Sequence, residues 1–329
     1  MKRFPGVRRA VLAAGVIGGL VVTSAAIAAS TQIPKFNYSK LKGTITADGS
    51  STVGPYTTAA AELFRRAGAR NVRITVGISG TGGGFQRFCS GETDLSDASR
   101  PMKLSEAAEC KKNQIGSWRA FTVANDALTV VVNSQNTWAT CLSVEELKKM
   151  WEPGSKINNW KDVRPGFPNV QMRLYGAGTD SGTFDYFTEA IVGRSRASRS
   201  DYLATEDDNV TVQGVAGDRG AMGYFGFSYY EENKSRLKAV SIRNPKTGQC
   251  VAPSVKSAQS GSYKPLGRPL FVYATGSSFK RNEVQAFLGF IFQNEAAIAK
   301  RADFVPLTKA QLKRATANYV LAVKAARRG

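Results

Sequence analysis

Histidine is absent from all 329 residues, and that one absence excludes a wide range of chemistry. A Ser-His-Asp triad, a Cys-His pair and any histidine-ligated zinc or iron site cannot be built. Cysteine is scarce: Cys89, Cys110, Cys141 and Cys250 are the whole set, with no C-x-x-C spacing, so no redox or zinc-ribbon motif is present. The chain also lacks a P-loop lysine, a dinucleotide fingerprint and a G-x-S-x-G elbow, which leaves nucleotide binding and esterase chemistry without their scaffolds. Past residue 28 no stretch is long and apolar enough to span a bilayer. Basic residues are scattered rather than interleaved with aromatics, so no nucleic-acid partner is expected. The small basic clusters at 194–199 and 324–328 read as solvated surface. Internal repeats and long linkers are missing too.

What is present begins with a leader. Lys2, Arg3, Arg8 and Arg9 form a basic n-region, residues 10–25 are apolar, and Ala26-Ile27-Ala28 is an A-x-A signal. A signal peptide over 1–28, cleaved near Ala28, is expected, with the mature protein exported to the periplasm, cell envelope or medium. The formal net charge of +20 falls to +16 once those four basic residues leave, a balance that attracts anions and speeds their capture. With 42% hydrophobic residues the chain can bury one large or two ordinary cores. Four cysteines in an exported chain suggest two disulfides, with three pairings open. Cys89 and Cys110 lie close within one segment, which favours Cys89–Cys110 with Cys141–Cys250; four buried thiols are the alternative.

One device occurs three times. Residues 43–47 alternate like a strand, Asp48-Gly49-Ser50-Ser51-Thr52 reads as a tight turn, and a helical pattern starts near Pro55. A strand at 72–78 runs into SGTGGG and a short helix at 85–89. A strand at 172–175 is followed by GAGTDSGT and a helix at 184–191. The first N–H groups of a helix have no partner within it, and its dipole favours negative charge there, so strand, small-residue turn and helix start make an anion site. An ordinary N-cap needs the same Ser and Thr. Between the first two devices and the third, a short strand at 93–95 delivers Ser99 and Arg100 to a loop, and the planar fork of Arg100 suits an oxyanion. Strands at 127–132, 220–225 and 269–273 alternate with helices at 142–150, 282–294 and 309–324. The pattern argues for an α/β fold with mainly parallel sheets, and ligands bind at the carboxyl ends of such strands.

These stretches, with EDDNVTVQGV and GAMGYFGFSYY, resemble the phosphate-binding protein of the ATP-driven (ABC-type) phosphate importer, in order from about residue 44 to 307. The resemblance implies a two-lobed, type II periplasmic-binding-protein fold, each lobe a mainly parallel sheet flanked by helices and joined by two hinge strands. Lobe I would comprise 42–125 and 270–329, and lobe II 126–269. Phosphate would be held by Ser51 and Thr52, by Thr81, Gly82 and Gly83, and by Ser181, Gly182 and Thr183 from the opposite lobe. Members that place an arginine four residues before the SGT serine differ from this chain, which has Ala177; Ser99 and Arg100 are then expected at the ligand, with Arg100 as the cation. Ser99 stands where those members have the aspartate that accepts the phosphate proton, and Asp48, Asp97 and Asp180 are the candidates for that task.

The expectation is therefore capture without catalysis, by a monomer needing no cofactor or metal. Hinge closure would bury inorganic phosphate and form the surface that membrane permease subunits read. A receptor for sulfate, molybdate or another tetrahedral oxyanion is the alternative. A secreted phosphatase-like enzyme is less favoured, since the chain offers no histidine and no clustered carboxylate metal motif; a basic envelope-binding or signalling protein with a degenerate site is the third reading.

Overall fold

The computed structural model of the protein describes residues 32–179, 181–205 and 207–327; the expected signal segment 1–28 and Asp180 lie outside the described residues. The first device forms β1 (Gly43–Gly49) and α1 (Gly54–Arg66), with Pro55 in the first turn, where a missing N–H does no harm. β2 (Val72–Ile78) leads to α2 (Gly80–Cys89), and β3 (Leu95–Ala98) to α3 (Leu104–Lys112). β4 (Trp118–Asn133) then runs for 16 residues. Beyond it come β5 (Cys141–Leu142), α4 (Val144–Trp151), β6 (Arg173–Ala177) and α5 (Gly182–Phe187), the last continued by a π-helical turn, Thr188–Val192. β7 (Leu203–Thr205), α6 (Asp208–Gly217), β8 (Ala221–Gly226), α7 (Phe227–Asn233) and β9 (Leu237–Ala239) follow. The chain closes with β10 (Ser241–Arg243), β11 (Cys250–Val251), α8 (Val255–Ser260), β12 (Gly267–Thr275), α9 (Asn282–Gln293), α10 (Glu295–Arg301) and α11 (Lys309–Ala326).

The main sheet has the order β2-β1-β3-β12-β4-β8-β6-β7, with β9 also on β4. Its flanks are parallel, β1 with β2 and β3, β6 with β7 and β8. The two long strands at its centre, β12 and β4, run antiparallel to each other. β4 changes partner along its length: residues up to Ala127 face β12, whereas Leu128 to Val132 face β8. That switch divides the apolar residues into two main cores. Ile45, Phe64, Phe121, Val272, Phe287 and Tyr319 share one, and Val130, Trp151, Trp160, Phe187, Met222 and Tyr224 the other. β4 supplies residues to both cores, whereas Leu270, Val272 and Ala274 of β12 lie in the first.

Three elements differ from their sequence reading. The expected strand at 127–132 is only the distal part of β4, because its proximal half (WRAFTVAN) interrupts its apolar residues with Arg119 and Thr122 and lacks a clean alternation. The strand placed at 93–95 begins at Leu95 instead. The glycine run opens α2 rather than forming a loop before it. Packing explains this last case: a Cβ on Gly84 would stand 2.4 Å from Gly49 Cα, and one on Gly49, itself at φ +147°, would stand 2.1 Å from the Asp97 carbonyl oxygen. Only glycines let α2 lie this close to the end of β1. The four cysteines form Cys89–Cys110, joining α2 to α3, and Cys141–Cys250, joining β5 and β11 across the small sheet β11-β10-β5.

Candidate functional site

The carboxyl ends of β1, β2 and β3 bring three hydroxyl-bearing turns together. Asp48, at the end of β1, organises the second turn. Its Oδ1 accepts from the Ser79 N–H at 3.2 Å and from the Ser79 hydroxyl, and its Oδ2 accepts from Arg87 at 2.6 Å. Thr81, in the first turn of α2, shares a 3.0 Å hydrogen bond with the Ser99 hydroxyl, and its Oγ1 accepts from the Ser99 N–H at 3.2 Å. Gly82 and Gly83 lie beside Thr81 in that turn, with Gly83 against the Ser79 side chain. Ser51 and Thr52 precede α1, and the Ser50 N–H below them is held by the Asp97 carbonyl at 2.9 Å.

The third device faces these turns from the other core. The Ser181 hydroxyl oxygen caps α5 by accepting from the Thr183 N–H at 3.1 Å. Thr52 donates its hydroxyl to the Gly182 carbonyl at 3.1 Å, and Ser51 donates to Asp185 Oδ2 at 3.1 Å. The approach is close enough that a Cβ on Gly182 would stand 2.4 Å from Ser51 C and Thr52 N. The structure thus brings Ser51, Thr52, Ser181, Gly182 and Thr183 together across the cleft, and Thr81 and Ser99 to each other beside them.

Arg268 is the cation at this junction, and the sequence reading missed it. Its guanidinium donates to Thr52 Oγ1 at 3.0 Å and to the Ser99 carbonyl at 3.3 Å, and its Nε stands 3.5 Å from Asp126 Oδ2. The carbon at its centre lies 3.1 Å from the Tyr186 ring centroid, while the Tyr186 hydroxyl donates to the Pro265 carbonyl at 2.7 Å. Only 11% of the Arg268 side chain is exposed. Arg268 and Asp126 are direct cross-strand partners on β12 and β4, at the point where the two strands begin to diverge. Burial pushes the Asp126 carboxyl up from its usual range, and the neighbouring guanidinium pulls it back.

Arg100, the expected cation, is otherwise engaged. Both of its terminal nitrogens bind Glu106, at 2.9 and 2.7 Å, and one also donates to the Pro101 carbonyl at 3.2 Å. A bidentate carboxylate pair of this kind satisfies the fork that an oxyanion would need. Of the proton-acceptor candidates, Asp48 and Asp97 are among the described residues. Both Asp48 oxygens are occupied as described. Asp97 is fully buried beneath the turns, where Oδ1 accepts from the Thr57 hydroxyl at 2.8 Å; burial raises its carboxyl to about 7, with Asp48 adding to the rise. Asp126, Asp185, Tyr186 and Arg268 left little trace in the sequence. An arginine in Leu266-Gly267-Arg268-Pro269-Leu270, at the head of an apolar strand, was the one available signal. Among the described residues no group of three or more Cys, Asp and Glu is placed to hold a metal ion, and no helix is long and apolar enough to cross a membrane.

The described geometry has known counterparts. Residues 37–295 match the family described as PBP superfamily domain. Protein SphX of Synechococcus elongatus is 46% identical over 289 residues, 87% of this chain and 84% of that protein. The phosphate-binding protein PstS of Staphylococcus saprophyticus is 37% identical over 273 residues, 82% of each chain. A crystal structure of a possible phosphate binding protein from Planctomyces limnophilus superposes with a TM-score of 0.82 at 44% identity, covering 86% of this chain and 99% of that one.

Proposed function

The chain belongs to the PBP superfamily, in the group that holds its SphX and PstS relatives, and from that premise we propose that it is a receptor for inorganic phosphate. The observation that carries the reading is the Arg268 guanidinium, buried at the hinge and hydrogen-bonded to Thr52 Oγ1 and the Ser99 carbonyl, where the two lobes' turns meet. Ser51, Thr52, Thr81, Gly82, Gly83, Ser99, Ser181, Gly182 and Thr183 supply hydroxyls and N–H groups to the anion. Arg268, rather than Arg100, supplies the cation. Charge-assisted hydrogen bonds in a closed cleft offset the desolvation of the anion. Asp126 is the carboxylate best placed to accept the proton of hydrogen phosphate; sulfate has no such proton, and the lone pairs of Asp126 would repel it.

Binding closes the lobes about the two central strands; the change of β4 partner at Ala127 and Leu128 supports a division near 125/126, and the return crossing is proposed near 269/270. The protein acts as an exported monomer, freed of residues 1–28, and presents its closed form to an ABC-type permease without catalysing a reaction.

Calorimetric titration of wild type, Arg268→Gln and Arg100→Gln with phosphate and with sulfate tests this. Arg268→Gln should weaken phosphate binding by 2–4 kcal/mol, about 30- to 1000-fold, and Arg100→Gln by a few-fold at most. The reverse order returns the cation to Arg100. Equal affinity of the wild type for sulfate replaces the phosphate reading with that of a general oxyanion receptor, and release of phosphate from a phosphomonoester would make the protein an enzyme.

A further inference from the structure

A second concentration of positive charge lies at the far end of α1 from the cleft. Arg65 and Arg66 occupy its last turn, Arg70 the connection to β2 and Arg73 the start of β2. Two adjoining hollows, of about 570 and 500 Å³, share Glu62, Arg65 and Arg70, and so form one trough along the outer side of α1. All four arginines are exposed, and among the described residues none of their side chains has a hydrogen bond or ion pair. The one carboxylate in the trough, Glu62, is already bound by Arg301 at 2.6 Å. Favourable placement near the negative end of the helix dipole accounts for Arg65 and Arg66. It does not account for Arg70, in the connection beyond the helix, or for Arg73, on the edge strand β2.

We propose that this trough is a second anion site, separate from the cleft, that takes a linear polymer of phosphate groups. Exposed guanidiniums hold a single small anion weakly, because solvent and salt screen each pair. A polymer engages all four together and releases its condensed counterions, which makes binding firm and strongly salt-dependent. The planar fork of arginine matches each phosphate bidentately. Among the described residues no aromatic side chain lines the trough, so bases would find nothing to stack on, and a polymer of phosphate groups without bases fits better than a nucleic acid. The trough shares Thr58, Glu62 and Val76 with the cavity that runs from the cleft along α1, while its arginines stay at the opposite end of that helix from Ser51 and Thr52.

The test is titration of the full chain with inorganic polyphosphate of defined length, in the presence of inorganic phosphate, over a series of salt concentrations. Poly(glycerol phosphate) is run in parallel, to tell an anhydride-linked source from a diester-linked one, and a single-stranded DNA of equal charge serves as control. Either phosphate polymer should bind with an affinity that falls steeply with salt. The variant Arg65→Gln/Arg70→Gln/Arg73→Gln should bind at least tenfold more weakly, with its log–log salt slope reduced by about 2, and with thermal unfolding and inorganic phosphate binding unchanged. Unaltered affinity and slope in that variant would overturn the location. DNA binding as tightly as the phosphate polymers would overturn the ligand class.

Discussion

Asp97 and Glu295 are buried acids whose carboxyl groups are pushed up to about 7, chiefly by burial. Each has one hydrogen bond that favours the charged form, from the Thr57 hydroxyl at 2.8 Å and from the Leu307 N–H at 2.8 Å, and in each case burial outweighs it. Because these groups keep their protons to a higher pH in the folded chain than in the unfolded one, the folded state binds more protons between about pH 4 and 7. Stability therefore falls as pH rises through that interval and levels off above it, by as much as ~2–3 kcal/mol per group between pH 5 and 8. Thermal unfolding should show a lower midpoint at pH 8 than at pH 5, and a smaller difference in Asp97→Asn or Glu295→Gln. A wild-type midpoint that climbs over this range would contradict the account. Arg100 and Arg268 illustrate a different residue-scale point. Sequence pattern places Arg100 next to an oxyanion-type turn, but Glu106, in the first turn of α3, takes the whole fork. Arg268 gains its role from Asp126, a partner 142 residues away that no local pattern announces.

At the scale of elements, two features carry separate expectations. α5 begins at a glycine because its backbone lies against the peptide between Ser51 and Thr52. Gly182→Ala places a methyl group in that contact, so the lobes cannot come fully together. Phosphate affinity should drop by at least tenfold, since the loss of even one or two buried polar contacts across the cleft is worth 1–3 kcal/mol. Small-angle scattering should record less compaction on adding phosphate than for wild type; unchanged compaction and affinity would show that closure does not use this contact. The disulfides differ in the chain they enclose, with sequence separations of 21 for Cys89–Cys110 and 109 for Cys141–Cys250. By loop-closure entropy the longer loop stabilises more, by about 1.5 kcal/mol. Paired Cys→Ser variants should therefore rank Cys141/Cys250 as the costlier loss in denaturant unfolding, and the opposite ranking would point to native-state packing around α2 and α3 instead. The glycine run of α2 was legible as a feature but not as a helix, because helix propensity penalises glycine and only the close approach to β1 overrides it.

For the whole molecule, one sheet serves two cores because β4 runs from one into the other and exchanges β12 for β8 on the way. Composition, the missing histidine, the repeated strand–turn–helix devices and the SGT turn were enough to determine an α/β chain and to propose backbone and hydroxyl donors for an oxyanion. Those are properties of local sequence: turn residues, helix starts and alternation act over a few positions, and they have the same meaning in any fold that lets the elements form. The cation, the carboxylate beside it and the hydrogen bonds from Ser51 and Thr52 to Asp185 and Gly182 were decided by tertiary structure alone. Their partners are separated by more than 100 residues, and only the pairing of the two central strands, driven by burial of both cores, brings them within hydrogen-bonding distance.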